Sequence, residues 1–340
     1  MTGGNVRVVV TGGAGYIGST AVARIVARGD DVVAIDNLSQ GHERALPAGV
    51  PLARIDICDP FAVTSALREY RPDAVLHFAA LTIAPESVRD PAPYWRVNTV
   101  GTINVLDAMR DAGVPAIIFS STAAVYGTPE TIPISEDAPL QPINPYGSSK
   151  LAAERAVASY AEAYGLGYAA LRYFNVAGAS ADVGEDHRPE THLVPSALDA
   201  AAGWREPLSV FGTDFPTTDG TAIRDYVHVE DLIDAHLQAL DCVVAGGNSL
   251  GAINLGTRGG ASVREVLDAV ERVTGKPVPT IYAGRRPGDP AILVADSSRA
   301  EEILGWQPRR SSLDEMVSSA WDWRQRFPGG YEITADRRAS

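Results

Sequence analysis

A glycine-rich turn near the start of the chain limits the possible folds more than any other segment. A β-branched run at residues 6–10 leads into the turn, a helical pattern at residues 19–28 follows it, and its spaced glycines are Gly12, Gly15 and Gly18. The first glycine permits a sharp change from strand to helix, the second lets the backbone approach a pyrophosphate, and the third lets the helix pack closely on the sheet. The helix N-terminus then offers amide donors to phosphate. The pattern predicts a dinucleotide-binding site.

A carboxylate specifies which dinucleotide would bind. Asp36 ends a second predicted strand at residues 31–36. A carboxylate in this place accepts a hydrogen bond from a ribose 2′-hydroxyl and repels a 2′-phosphate. The sequence therefore predicts NAD rather than NADP.

Strand and helix patterns continue to alternate along the chain. Further strands are predicted at residues 52–56, 74–78, 116–120 and 168–173, with helices at 61–70, 94–112 and 146–164. Such alternation predicts an α/β fold, a Rossmann-type doubly wound parallel sheet. Ligands of these sheets gather at the carboxyl ends of the strands, where the sequence places Gly12, Asp36, Ala79, Ser121 and the adenine-side pair Asp56-Ile57.

The composition of the sequence and the length of its predicted elements change after Asn175. Loops rich in Gly, Pro, Asp and Thr separate short elements, and helices are predicted at residues 231–240 and 263–274. We expect a smaller C-terminal α/β substrate-binding lobe. The predicted division gives residues 1–176 and 226–256 to the NAD-binding domain, and residues 177–225 and 257–340 to the lobe. Residues 329–340 are expected to form a loosely held tail.

Composition excludes several classes of partner. The 340-residue chain has a formal net charge of −13, which argues against a general affinity for nucleic acid or an anionic membrane. It has no apolar run of the roughly 20 residues needed for a membrane span. Two distant cysteines, Cys58 and Cys242, favour a reducing, cytoplasmic location. No histidine stands in a metal-ligand motif, and His187 and His192 lie in a loop, so no catalytic metal is expected.

Tyr146 and Lys150 form a candidate catalytic pair. They are four residues apart in helical sequence, so both side chains lie on one face, although such pairs are common on helices. A nearby ammonium favours a phenolate, which would let Tyr146 act as a base. Ser120, Ser121 and Thr122 end a predicted strand beside this helix and offer hydroxyls for proton relay.

The glycine turn, the strand-end hydroxyls and the Tyr-x-x-x-Lys pair together resemble the extended short-chain dehydrogenase/reductase family. Within it, residues 77–80, 173–175, 223–229 and 285–289 make the chain similar to the UDP-hexose 4-epimerases, and the similarity runs from residue 6 to residue 331. The resemblance implies bound NAD, a UDP-hexose substrate, and interconversion of UDP-glucose and UDP-galactose through a transient 4-keto sugar. It also implies a homodimer formed through the helices of Tyr94 and Tyr146.

The resemblance also implies a role for individual residues. Tyr146 would remove the 4-hydroxyl proton while hydride passes to the nicotinamide, Thr122 would bond the 4-oxygen, and Lys150 would hold the nicotinamide ribose and lower the pKa of Tyr146. The implied cofactor contacts are Gly12, Gly15, Tyr16, Ile17, Gly18, Asp36, Asn37, Asp56, Ile57, Phe78, Ala79, Ala80, Asn98, Ser120, Tyr146, Lys150 and Tyr173. The implied substrate contacts are Thr122, Tyr146, Asn175, Leu193, Phe211 against uracil, Arg224, Tyr226, Arg286, Asp289 and Leu293, with Asn175 and the two arginines on the diphosphate.

Two positions depart from the family pattern. Thr82 stands where many of these epimerases have a lysine, which puts one cofactor contact in doubt. Leu293 stands where some relatives have tyrosine and others a small residue that admits N-acetylated sugars. Leu293 is intermediate in size, so use of UDP-GlcNAc and UDP-GalNAc stays open.

Alternative functions stay open at this point. The 4,6-dehydratases and decarboxylases of the family carry an extra acid or base after the strand-end threonine, where this chain has Ala123 and Ala124. Another nucleotide-sugar epimerase, a net dehydrogenase that releases NADH, and a non-catalytic NAD-sensing scaffold remain. The last would have no need of Tyr146 and Lys150.

Overall fold

The computed structural model describes residues 5–246, 248–286 and 289–331, which contain fourteen strands, eleven α-helices, two 3₁₀ turns and one π-helical turn. The strands are β1 Arg7–Thr11, β2 Asp31–Asp36, β3 Leu52–Arg54, β4 Ala74–His77, β5 Ala116–Thr122, β6 Gly167–Tyr173, β7 Asn175–Ala177, β8 Leu208–Phe211, β9 Ile223–Arg224, β10 Tyr226–His228, β11 Gly251–Leu255, β12 Ala261–Ser262, β13 Thr280–Ala283 and β14 Ile292–Leu293. The helices are α1 Tyr16–Arg28, α2 Pro60–Tyr70, α3 Ala84–Arg89, α4 Ala92–Tyr94, α5 Thr102–Ala112, α6 Pro145–Tyr164, α7 Leu193–Ala202, α8 Val229–Gly246, α9 Val263–Thr274, α10 Ser298–Leu304 and α11 Leu313–Arg326.

The central sheet has seven strands in the order β11-β6-β5-β4-β1-β2-β3. Every neighbouring pair in it is parallel. Because β1 lies between β2 and β4, successive strands run outward from it in both directions, and a crevice opens at the carboxyl ends of β1 and β4. This confirms the predicted Rossmann-type α/β fold.

Alternation along β1 shows why both faces of the sheet are covered. Val8 and Val10 pack into a core with Ile25 of α1 and Leu232 of α8. Val9, pointing to the opposite face, packs with residues of α2, α5 and α6, such as Leu106. Successive side chains of a strand point to opposite faces, so this apolar run supplies both cores.

A second core lies among the later elements. Buried residues of α7, α9 and α11 pack together with β8, including Leu198, Val266 and Val317. Three small sheets accompany them, β10-β7, β12-β9-β14 and β13-β8. The exact division of the chain into two domains stays a prediction. Among the described residues, no helix has both the length and the apolar composition that a membrane span requires.

The predicted helix at residues 94–112 differs from the structure. A π-helical turn, Trp95–Gly101, separates α4 from α5. It places Asn98 and Gly101 on the buried side of the helix, where a Cβ at Gly101 would lie 2.7 Å from Ile57 Cδ1. Helix propensity alone does not reveal this extra residue in the turn.

The predicted loose tail is wrong for its first three residues. Tyr331 is buried, its amide donates to Asp186 Oδ2 at 2.9 Å, and its carbonyl accepts from Arg44 Nη1 at 2.7 Å. Residues 332–340 lie outside the described residues.

Candidate active site

A cavity of about 420 Å³ opens at the carboxyl edge of the central sheet. Ligand cavities are commonly about 300–1,000 Å³, so this one can hold a cofactor or a substrate. Its lining includes the following predicted site residues: Gly12, Gly15, Tyr16, Ile17, Gly18, Asp36, Asn37, Asp56, Ile57, Phe78, Ala79, Ala80, Ser120, Thr122, Tyr146, Lys150, Tyr173 and Asn175. The structure thus brings together the glycine turn and the Tyr-Lys pair, which are far apart in the sequence.

Steric crowding explains the glycines of the turn. Gly12 has φ +68°, and a Cβ on it would lie 2.6 Å from Ala79 N. A Cβ on Gly18 would lie 2.0 Å from the carbonyl oxygen of Gly12. Helix α1 begins after Gly15, which has no side chain to cap the first amides. Those amides are therefore available to a phosphate, and the turn fits a dinucleotide.

Asp36 is held in place by two backbone amides. Its carboxylate accepts from Ala14 N at 3.0 Å and from Leu38 N at 2.8 Å. Burial raises the pKa of Asp36, and the two backbone hydrogen bonds oppose this rise. A Cβ on Gly41 would lie 3.0 Å from the carboxylate oxygens, so backbone also closes on it from the far side. The arrangement offers a fixed acceptor at the cavity wall, as a ribose hydroxyl requires.

Tyr146, Thr122 and Lys150 line the same cavity. Burial raises the pKa of Tyr146, while a hydrogen bond with Thr122 lowers it. Burial lowers the pKa of Lys150 to about 7, against an opposing effect of the Glu154 carboxylate, and Lys150 Nζ lies 4.3 Å from the centre of the Phe119 ring. Burial has the larger effect on the Tyr146 pKa here, and the lowering by Lys150 that the resemblance implies stays a prediction.

A buried polar network adjoins Thr122, Tyr146 and Lys150. The Ser121 hydroxyl donates to Glu154 Oε2 at 2.6 Å, and Glu154 pairs with the guanidinium of Arg172 on β6. Ser120, in turn, hydrogen-bonds the Tyr173 hydroxyl. The three successive hydroxyls of the strand end therefore have different partners.

His77 lies at the end of β4 and is a structural residue. Its Nδ1 is 2.6 Å from Thr11 Oγ1 and its Nε2 is 2.9 Å from Thr102 Oγ1. Burial, aided by the charge of Lys150, lowers the pKa of His77 to about 3. The ring therefore stays neutral and ties β4 to β1 and α5.

Asn98 lies behind the cavity wall rather than on it. Its amide accepts from Leu81 N at 2.8 Å and donates to Leu81 O at 3.0 Å and to Ser149 Oγ at 3.0 Å. Asn98 is 1% exposed, and these hydrogen bonds occupy its amide. It therefore links the backbone at Leu81 to α6. The direct cofactor contact expected for Asn98 stays a prediction.

Most of the predicted substrate residues do not line the cavity. Arg224 pairs with Asp289, and the Arg286 guanidinium lies 3.8 Å above the centre of the Phe211 ring. Leu193 and Tyr226 pack in the second core, while Leu293 packs against the buried cluster that includes Val125 and Tyr126 of the turn after Thr122. Asn175, like Thr122 and Tyr146, is a predicted substrate residue that does line the cavity.

Sequence reasoning missed a tyrosine and a carboxylate that line the cavity. The Tyr94 hydroxyl donates to Ile83 O at 2.7 Å and lies 3.1 Å from Glu86 Oε2. The ring of Tyr94 stands edge-on to that of Tyr146, with centroids 6.5 Å apart. Thr82, noted as a departure from the family, also lines this wall.

Sequence reasoning also treated His187 and His192 as isolated. The structure brings them together with Glu185 and Glu190. Although burial opposes it, the carboxylates of Glu185 and Glu190 raise the pKa of His192 well above its usual value. Their spacing in one loop was visible, but the convergence of the four side chains was not.

Comparisons with known proteins agree with this geometry. Residues 8–256 match the model of the NAD dependent epimerase/dehydratase family. The UDP-glucose 4-epimerase of Lactobacillus helveticus is 48% identical over 328 residues, which is 96% of this chain and 99% of that protein. The Brucella ovis UDP-glucose 4-epimerase, solved in complex with NAD, has a TM-score of 0.90 at 46% identity, covering 94% of this chain and 98% of its own.

A third relative was solved with a nucleotide as well as the cofactor. The Bifidobacterium longum UDP-glucose 4-epimerase, in complex with NAD+ and UDP, has a TM-score of 0.90 at 36% identity, covering 95% of this chain and 99% of its own. Fold, cavity and near-full-length similarity agree. The chain belongs to the NAD dependent epimerase/dehydratase family and, within it, to the UDP-glucose 4-epimerases.

Proposed function

We propose that this chain interconverts UDP-glucose and UDP-galactose at C4 with NAD bound throughout turnover. The observation that carries the proposal is the placement of Tyr146, Thr122 and Lys150 on the same cavity as the glycine turn and Asp36. A hydride acceptor and an acid–base group in one cavity suit a hydroxyl that is oxidised and then reduced again. Relatives named for this reaction support the assignment.

The residues of the cavity fit NAD. The uncapped amides at the start of α1 suit its pyrophosphate, and the Asp36 carboxylate suits the 2′-hydroxyl of its adenosine ribose. Bound NAD would supply a reversible hydride acceptor for C4 of the sugar. Since Asp36 is held by two amides, a 2′-phosphate would meet a fixed negative charge.

Tyr146 holds and moves the proton of the 4-hydroxyl. In the protein alone burial keeps its phenol protonated, and the Thr122 hydroxyl offsets part of that effect. The pKa of Lys150, about 7, makes the charge beside the reacting group sensitive to pH in the neutral range. We expect the base function of Tyr146 to depend on the charged form of Lys150.

The uridine diphosphate is expected to meet the lobe through Arg224, Arg286 and Phe211. The Arg286 guanidinium stacks on one face of the Phe211 ring, so a cation lies next to an aromatic ring. Such a pair suits a ligand that carries a base next to phosphates. In a chain with a net charge of −13, an acidic ligand needs local cations of this kind.

We also propose UDP-GlcNAc and UDP-GalNAc as secondary substrates. Leu293 is shorter than the tyrosine of some relatives and packs against the turn that follows Thr122.

A homodimer is proposed as well, since Val88, Trp95 and Val100 are exposed on and near the helix that contains the π turn. Light scattering of the purified protein would give the molar mass that tests the dimer.

Turnover of Tyr146→Phe tests the main proposal. The variant is expected to lose most turnover of UDP-galactose, about 100-fold or more, while NAD stays bound through dialysis. Tyr160→Phe is the matched control, because Tyr160 lies on the same helix and its hydroxyl bonds Asp107 at 2.9 Å, away from the cavity. Unchanged turnover in Tyr146→Phe would remove it as the base, and stoichiometric NADH release by wild type would identify a net dehydrogenase instead.

A further inference from the structure

Four side chains that can bind a metal converge in the loop between β7 and α7. We call Glu185, His187, Glu190 and His192 the His-Glu cluster. His192 Nδ1 lies 2.7 Å from Glu185 Oε1 and 3.2 Å from Glu190 Oε1. His187 Nδ1 lies 3.0 Å from Glu185 Oε1 and 4.0 Å from Glu190 Oε2. The four ligand atoms considered for a metal all lie within 4.8 Å of one another.

One carboxylate oxygen of the cluster lacks a hydrogen-bond donor. Glu190 Oε1 accepts from the amides of Thr191 at 2.8 Å and His192 at 2.9 Å. Glu190 Oε2 is buried without a hydrogen bond, and Arg324 Nη2, 3.8 Å away, is beyond hydrogen-bonding range. The Glu190 side chain is only 10% exposed. A buried carboxylate oxygen without a donor is costly, which points to a ligand that the oxygen coordinates.

We propose that the His-Glu cluster binds a divalent metal ion of the zinc class. Two imidazole nitrogens and two carboxylate oxygens are a donor set that Zn²⁺ accepts, whereas Ca²⁺ and Mg²⁺ prefer oxygen alone. With zinc–ligand distances of about 2.0–2.2 Å, tetrahedral ligand atoms are separated by roughly 3.4 Å. The four His–Glu distances, 2.7–4.0 Å, lie on both sides of that value.

We assign the metal a structural role, because four protein ligands fill a tetrahedral site and leave no open position for a substrate. Glu185, His187 and His192 line the cavity, and the Tyr16 hydroxyl of the glycine turn donates to Gly178 O at 2.5 Å, at the start of the same loop. One ion held by four ligands within eight residues would fix this loop as a wall of the cavity.

Metal titration tests the proposal without any measurement of turnover. Chelator-treated, NAD-bound protein is titrated with Zn²⁺ against a competing chromogenic chelator, and with Co²⁺, whose absorption reports tetrahedral coordination. About one equivalent per chain is expected to bind. His187→Ala and Glu190→Gln are each expected to weaken zinc binding by about 100-fold or more, since even outer-shell changes cost 10–100-fold. His187 is 25% exposed, so its variant is expected to fold, and circular dichroism checks this.

Two controls separate the cluster from other zinc-binding groups. His42→Ala removes a neighbouring histidine, whose Nε2 lies 2.9 Å from Asp186 O, and is expected to leave zinc binding unchanged. A Cys58→Ser, Cys242→Ser variant removes the free thiols and should also bind zinc normally. Zinc affinity that is equal in wild type and His187→Ala, or that disappears with the cysteines, would overturn the proposal. Either result leaves the epimerase assignment untouched, because metal content is measured independently of catalysis.

Discussion

The Ser121 hydroxyl donates to Glu154 at 2.6 Å and so joins the strand that carries Thr122 to the helix that carries Tyr146 and Lys150. Glu154 is also the counterion of Arg172, and both side chains are nearly buried, 10% and 4% exposed. A single carboxylate therefore aligns the two elements that supply the catalytic groups and neutralises a buried cation. Its loss should affect stability and geometry together.

Glu154→Gln is expected to lower the free energy of unfolding by about 3–5 kcal/mol, because it leaves the Arg172 guanidinium buried without a counterion. Urea unfolding of the purified protein measures the change. Asp314→Asn is the matched control, since Asp314 pairs with Arg272 at the surface, with side chains 55% and 56% exposed. That change should cost no more than about 1 kcal/mol. Equal losses in the two variants would contradict the special role of the buried pair.

Gly12→Ala separates close packing from backbone strain. Its Cβ would lie 2.6 Å from Ala79 N in addition to adopting φ +68°. Gly49→Ala is the control, because Gly49 has φ +87° and its added methyl group would have no atom within 4 Å. The control should cost roughly 1–2 kcal/mol from strain alone. Gly12→Ala should cost more and should also release NAD, as thermal unfolding and bound-nucleotide content will show; similar values for both would refute the packing argument.

Lys150 should make stability depend on pH in a specific direction. Burial lowers its pKa from 10.5 to about 7 despite Glu154, so between these values the unfolded chain binds more protons than the folded chain. The contribution of this group to the free energy of unfolding therefore rises with pH across that window.

Lys150→Met removes this titration. Urea unfolding at about pH 7 and about pH 10, with NAD saturating, should show a smaller gain of stability with pH in the variant than in wild type. Equal gains would mean that Lys150 keeps its ordinary pKa in the folded protein.

Leu293→Tyr tests the proposed tolerance of N-acetylated sugars. A tyrosine ring in place of the leucine, packed against the turn after Thr122, should crowd the acetamido group and spare the plain hexoses. UDP-Glc, UDP-Gal, UDP-GlcNAc and UDP-GalNAc are assayed with both proteins. The N-acetyl turnover should fall by about tenfold or more relative to UDP-galactose. A variant that keeps its N-acetyl turnover would show that residue 293 does not set this specificity.

The glycine turn and Asp36 could be predicted from the sequence because their spacing along the chain is short. Gly18 is required by a contact with Gly12 within the same turn, and Asp36 follows at the end of the next strand, whereas the contact of Gly12 with Ala79 depends on the fold. Alternating β-branched runs and helices then determine which strand ends meet. Tyr146 and Thr122 reach the same cavity because parallel strands and their helices share one edge.

The remaining features depend on contacts that spacing does not reveal. The π turn at Trp95–Gly101 arises where the helix packs against Ile57 and α6, and the pairing of Arg286 with Phe211 depends on the fold of the lobe. The direction of the Tyr146 pKa shift follows from burial, which a sequence does not give. The His-Glu cluster likewise needs a loop conformation that its residues alone do not specify.

The packing of Tyr331 has a practical consequence for anyone handling this protein. Tyr331 N bonds Asp186, its carbonyl bonds Arg44, and a Cβ on Gly330 would lie 2.0 Å from Asp186 Oδ2. An affinity tag that replaced Gly330 and Tyr331 would remove their contacts with Asp186, in the loop beside the cavity, and with Arg44. Affinity tags should be placed at the amino end or beyond Tyr331, where these contacts are kept.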